Sequence, residues 1–231
     1  LTRIPGIQGT GATSPLVGLT VTTEGVVTHL TNNGFFLQDP VGDGNPATSD
    51  GIFVFTGTAA TAPRPAVGQL LRLTGTVAEF NTGAATNAQT AANPVTQLTN
   101  VQGLQVVRDG VAISPTTLDL PAQGGAGLER YEGMLVRVPG PVTVSQNFFL
   151  GRYGQLTMSV GGRLETPTNR HRPGPLAQAL AQENVRRSFI LDDSTTAQNP
   201  NPIPYIGVDN TVRAGDTVDA VVGVVDYGLA T

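Results

Sequence analysis

VGLTVTTEGVVT at residues 17–28 and EGMLVRVPGPVT at residues 132–143 are the stretches on which the fold turns. Laid over each other at a constant offset of 115, they agree at Gly18/Gly133, Val21/Val136, Gly25/Gly140, Val27/Val142 and Thr28/Thr143. Both read as long strands, because β-branched residues dominate and polarity alternates with period two. Each carries a central glycine, Gly25 or Gly140. A glycine inside a strand lets the chain bend sharply or bulge, so one strand can take part in two sheets.

The parallel continues downstream. Phe35, Phe36 and Leu37 match Phe148, Phe149 and Leu150, and VGQLLRLTGTV from Val67 matches AGDTVDAVVGVV from Ala214 with one residue inserted. The same order of elements therefore occurs twice, with strands predicted at 19–30, 34–38, 51–55, 69–80 and 95–107, then 134–145, 147–150, 155–160, 188–191 and 217–227. Only 175–187 reads as a helix. There Pro175 suits the first turn, Leu176, Ala179, Leu180 and Val185 recur at helical spacing, and Arg186 and Arg187 sit at the C-terminal end of the dipole. The expected class is all-β: two small barrels of the oligonucleotide/oligosaccharide-binding (OB) type in tandem, residues 1–105 and 106–231, with the helix in the second. A pair of β-sandwich domains is the alternative. In the second unit only four residues follow Tyr227, so a faithful repeat leaves it one strand short. The expectation is a missing strand just beyond Thr231, unless residues 188–191 fill the vacant edge.

Composition narrows the chemistry. Gly (29) and Pro (17) punctuate the chain in the manner of many short strands, while 39% hydrophobic residues supply a core. No Cys is present, which removes thiol nucleophiles, disulfides and thiolate-held zinc. All basic residues are Arg, which removes Schiff-base lysines and the P-loop lysine. His29 and His171 are the only histidines, too few for a multi-histidine metal centre. No apolar run approaches the length of a membrane-spanning helix. The net charge of −4 has the wrong sign for a strongly basic nucleic-acid binder.

That average hides an asymmetry. Between Arg152 and Arg187 stand six arginines (Arg152, Arg163, Arg170, Arg172, Arg186 and Arg187) against Glu165 and Glu183. Guanidinium groups bind phosphate bidentately, and Tyr153 and His171 in the same stretch could stack on bases. The segment is a candidate DNA contact; a solvated loop with a capped helix end is the bland alternative. In the loop QDPVGDGNPATSDG, Asp39, Asp43 and Asp50 are spaced to wrap a hard cation such as Ca²⁺, although the same residues also make ordinary turns. At Phe35/Phe36 and Phe148/Phe149 adjacent strand residues face opposite sides, so at most one of each pair is expected at the surface. His29 reads as a surface strand residue, with no nucleophile near it.

The words IQGTGATSPLVGLTVTTEGVVT (7–28), GFFLQDPVGDGNPATSDGIFVF (34–55) and VGQLLRLTGTVAEF (67–80), echoed at AGDTVDAVVGVVDYG (214–228), make the chain resemble the N-terminal region of bacterial extracellular nucleases. In that family OB-like modules precede a catalytic domain of the endonuclease/exonuclease/phosphatase class. The resemblance implies a secreted or cell-surface parent with metal-dependent nuclease activity and a catalytic domain C-terminal to this chain. The catalytic motifs of that class are absent from residues 1–231, so this chain is expected to be noncatalytic and to position or recruit DNA. The competing expectation is a structural or interaction module of a cell-surface assembly, stiffened by calcium.

Overall fold

The computed structural model describes residues 1–59, 61–83, 86–209 and 211–227. The chain is mostly β and its contacts divide into two compact units. The first gathers Leu1–Thr116, Leu128–Val136 and Gly223–Thr231; the second holds Thr117–Gly127 and Arg137–Val222. Among the described residues no helix is long and apolar enough to cross a membrane.

In the first unit, β1 (Thr20–Leu30), β2 (Gly34–Gln38), β3 (Gly51–Phe55), β4 (Leu70–Phe80) and β5 (Val95–Arg108) pair in the order β1-β2-β3-β5-β4 and return to β1 as a closed barrel. All neighbours are antiparallel except β3 and β5, which run parallel with Phe53 opposite Gln97 and Val54 opposite Leu98. β1 serves two partners. Its first half pairs with β4, from Thr20/Thr76 to Val26/Leu70, and its second half pairs with β2, from Val26/Gln38 to Leu30/Phe35. Gly25 lies at the changeover, where a Cβ would meet Ile4 Cδ1 at 2.8 Å and Leu37 Cβ at 3.0 Å. That close approach is the physical reason for the glycine inside a long strand.

Alternation fills the interior. On β4, Leu71, Leu73 and Val77 point inward with Gly75 between them, and they pack with Val21, Val27, Phe35, Leu37, Ile52, Val54 and Leu98. A short helix α1 (Ile4–Gln8) adds Ile4 and Ile7 to this core. Each fully buried aliphatic side chain contributes about 1.5–3 kcal/mol relative to exposure. Strand β2 is buried along its whole length, so neither Phe35 nor Phe36 reaches the surface; Phe36 lies 4.9 Å from the Phe53 ring and 6.4 Å from His29. A second short helix, α2 (Ala88–Ala92), leads into β5.

The second unit is built on β7 (Leu135–Gln146), β8 (Leu156–Val160), β9 (Ser188–Leu191) and β10 (Thr217–Val224), ordered β10-β7-β8-β9, with the two-residue β6 (Thr116–Thr117) also pairing β7. Three helices punctuate it: α3 (Leu150–Tyr153), α4 (Pro167–Arg170) and α5 (Pro175–Arg186). This sheet has two ends, β9 and β10, and among the described residues no pair joins them. Among the described residues the second sheet is not closed, and residues 188–191 stand as an end strand on β8 rather than joining β10. The repeated glycines do keep their roles. Gly18 and Gly133 both have positive φ, and a Cβ on Gly140 would fall against the Asp219 carbonyl oxygen on β10.

Two local expectations are corrected. Residues 147–150 are not a strand but a turn entering α3, because Gly154 in the left-handed conformation closes a helical turn with its N–H on the Leu150 carbonyl. Helix α5 forms as expected, but its apolar positions do not make a buried face: Leu176 and Val185 are exposed and Ala177 is the residue that is buried.

Candidate nucleic-acid interface

The basic segment spans α3, β8, α4 and α5 of the second unit, so its arginines come from several short elements rather than one face. Arg187 is structural. Half-buried, it donates to the carbonyls of Val160 and Gly162, both at 2.8 Å, and to the Arg163 carbonyl at 3.3 Å, clamping the end of β8 to the end of α5. Arg163 is exposed and leans on the Ser145 carbonyl at 3.4 Å. Arg170 pairs with Glu165 at 3.3 Å and Arg186 with Glu183 one helical turn back. Those exposed pairs are worth little to stability and can be exchanged for a phosphate. Arg172 is exposed and makes no hydrogen bond or ion pair among the described residues. His171 is half-buried at the C-terminal end of α4 and contributes a backbone N–H to the Pro167 carbonyl.

Arg152 and Tyr153 belong together. The guanidinium stands 5.4 Å over the Tyr153 ring, donates to Gln198 Oε1 at 3.3 Å, and is otherwise solvent-facing. Beside them, Phe148 and Phe149 are 75% and 41% exposed. The expectation that only one of them could surface fails, because alternation belongs to strands and this segment is a turn.

The acidic loop is organised by a residue far from it in sequence. Arg3 Nε and Nη2 grip the two Asp39 oxygens at 2.9 and 2.8 Å, and Nη2 also reaches the Gly42 carbonyl at 2.8 Å. Burial alone would raise the Asp39 carboxyl; the Arg3 hydrogen bonds and the N–H groups of Val41 and Gly42 outweigh it and hold the group below its usual range. Asp43 accepts from the Asn45 N–H at 2.8 Å and from the Thr48 hydroxyl at 3.0 Å. Asp50 packs under Gly42, and burial, then the charges of Asp39 and Asp43, push its carboxyl up. Among the described residues no three His, Cys, Asp or Glu are gathered as a metal-holding group, and the cation that Asp39 meets is the Arg3 guanidinium. Turn-making and the Arg3 cation account for them.

A cluster that sequence reading missed lies in the first unit. Glu132, only 2% exposed, accepts on Oε1 from the Thr96 N–H at 3.0 Å and from Gln8 Nε2 at 3.2 Å, while its Oε2 has no partner. Ser49 donates to the Glu132 carbonyl at 2.5 Å. Burial, aided by the charge of Glu129, pushes the Glu132 carboxyl up to about 8, so it is mostly protonated at neutral pH. Glu79 and Glu129 are raised by burial too; Glu79 accepts from the Ser14 N–H at 2.6 Å, and Tyr227 hydrogen-bonds Glu129. Gly51 and Gly133 let the backbones meet here, since a Cβ on Gly51 would fall on the Gly133 backbone. The only sequence signal was a lone Glu at the head of the repeated word EGMLV.

A closed β-barrel in one unit and an open sheet in the other, with arginines and aromatic rings on the surface of the second, define the class: a β-rich module with a candidate ligand surface. The chain belongs to a family described as a domain of unknown function, DUF8508, whose model matches residues 88–231. The match takes in α2, β5 and everything after them. No curated protein matches the chain.

Proposed function

We propose that this chain is a noncatalytic accessory module of a secreted nuclease, with the first unit an OB-like barrel and the second an open, partial copy that contacts DNA. The observation that carries the reading is the strand order β1-β2-β3-β5-β4, closed on itself through a parallel β3–β5 pair. It is the Greek-key order of an OB barrel, a scaffold used for oligonucleotide binding. The sequence resemblance to nuclease N-terminal regions adds the secreted setting and a catalytic domain C-terminal to the chain as partner. The exposed Arg163, Arg170, Arg172 and Arg186 supply the phosphate contacts.

Titration of the chain against single-stranded DNA at several salt concentrations tests the reading. A few phosphate contacts give a log–log slope of about −2 to −3. Replacing Arg170 and Arg172 with Ala should weaken binding and flatten the slope, and a double variant that binds like the parent makes the segment an ordinary loop. The second reading, a structural interaction module, is favoured by the exposed apolar residues Leu176 and Val185 on α5 and by the free edges of β9 and β10. It predicts no nucleic-acid affinity and association through the second unit.

A further inference from the structure

In the second unit, three aromatic rings form a row at the end of β7. Phe148 and Phe149 meet edge to face, 5.0 Å between centroids and 81° between planes. Phe149 and Tyr153 follow at 5.9 Å and 48°. The row is held rather than loose. Asn147 Nδ2 donates to the Val212 carbonyl at 2.8 Å ahead of it, and the Asn199 N–H donates to the Arg152 carbonyl at 2.8 Å behind it. Gly154 stops α3 immediately after Tyr153, which keeps the third ring next to the other two. Leaving Phe148 75% exposed gives up the stabilisation that burial would bring.

We infer that Phe148, Phe149 and Tyr153 are a stacking platform for the unpaired bases of a single-stranded nucleic acid, with Arg152 holding the adjoining phosphate. The inference rests on the proposed nucleic-acid function and names the strand form and the rings involved. No ring in the row lies parallel on another: the edge-to-face contact takes one face of one phenylalanine and Arg152 lies over one face of Tyr153, so no two rings are stacked face to face. Only unstacked bases present a π face to such rings, because in a duplex each base is covered by its neighbours. Arg152 supplies the charge complement: it lies on the Tyr153 ring and makes one hydrogen bond, to Gln198, leaving further N–H donors of its planar fork for phosphate oxygens. Of the neighbouring carboxylates, Asp192 accepts from the Gln155 amide and the Ser194 N–H and Asp193 Oδ1 from the Thr195 N–H, while Asp193 Oδ2 is buried against Gly154 rather than turned to solvent. The platform works chiefly through stacking, whereas the Arg170/Arg172 surface works through charge.

That difference makes the test. The parent chain and the double variant F148A/F149A are titrated with fluorescein-labelled oligo(dT) of ~20 nucleotides, longer than the site of one small barrel, and with a duplex of equal length. Base–aromatic stacking is worth roughly 1–3 kcal/mol per base, so single-strand affinity should fall at least ~10-fold while the salt slope and the duplex affinity stay as in the parent. Tyr emission should be quenched by the single strand, and the chain has no Trp to mask it. Because both phenylalanines are exposed, thermal melts of parent and variant should coincide. F149L keeps the apolar surface and removes the ring; it should weaken single-strand binding as well. If F148A/F149A binds like the parent, the platform is refuted and the arginine reading stands. If F149L binds like the parent, the surface is a plain apolar contact and the platform is again refuted. If the parent binds no oligonucleotide at low salt, the nucleic-acid reading falls and the platform falls with it.

Discussion

Arg3 closes on both carboxylate oxygens of Asp39, at 2.9 and 2.8 Å, from 36 residues away. The guanidinium brings an internal positive charge to a loop whose Asp39, Asp43 and Asp50 would otherwise repel one another.

The loop should therefore be indifferent to calcium. Melting temperature measured in excess chelator and in millimolar Ca²⁺ should agree, since a ligand that binds the native state would raise it by mass action. Arg3→Ala should lower stability only modestly, because the Arg3 side chain is half-exposed and its pairing is screened by solvent. A calcium-dependent melt of the parent chain would return the loop to a metal site.

Glu132 should make stability fall with rising pH. Its carboxyl sits near 4.5 when unfolded and at about 8 when folded, so between those values the folded state binds the extra proton. Stability from this group is complete below about pH 4.5 and is lost progressively as pH rises through about 8. Denaturant melts at pH 6 and pH 9 should differ, and Glu132→Gln, which mimics the protonated form, should remove most of the difference. A variant as pH-sensitive as the parent would move the effect to Glu79 or Glu129.

Gly25 and Gly140 should tolerate no side chain. Alanine at 25 presses on Ile4 and Leu37, and alanine at 140 presses on the Asp219 backbone, so each should cost about 1–3 kcal/mol as overpacking does. Because the second clash is with backbone, Gly140→Ala should also raise amide exchange along β10. Normal protection there would mean that the two strands can separate without cost.

Much of this was legible because the repeated words carry backbone constraints. Gly18 with Gly133 recovers a positive φ, and Gly25 with Gly140 a close approach, both imposed by glycine alone. The FFL repeat misled because three residues do not determine their own conformation: QDP follows the first copy and its strand persists, GRYG follows the second and a helical turn ends at Gly154. The arginine segment was legible as charge, whereas the backbone contacts that engage Arg187 depend on where the ends of β8 and α5 meet. Glu132 was invisible for a related reason. Its burial comes from Gln8, Ser49 and Thr96, residues that no local window includes.

The first unit is assembled from three separate stretches of chain, and this has a consequence for folding during synthesis. All five barrel strands have left the ribosome once Thr116 has emerged, yet the carboxyl that accepts from Thr96 and Gln8 arrives only with Glu132, and the Gly133 N–H finds the Val225 carbonyl only after the second unit has been made. In a nascent barrel the Thr96 N–H and the Gln8 amide stay unanswered until Glu132 emerges, the Gly133 N–H stays so until Val225, and closing the longer of these loops is entropically slow. A fragment ending at Thr116 should accordingly collapse into a barrel that is looser than the same strands in the intact protein. Domain boundaries drawn by strand count alone would cut through this unit.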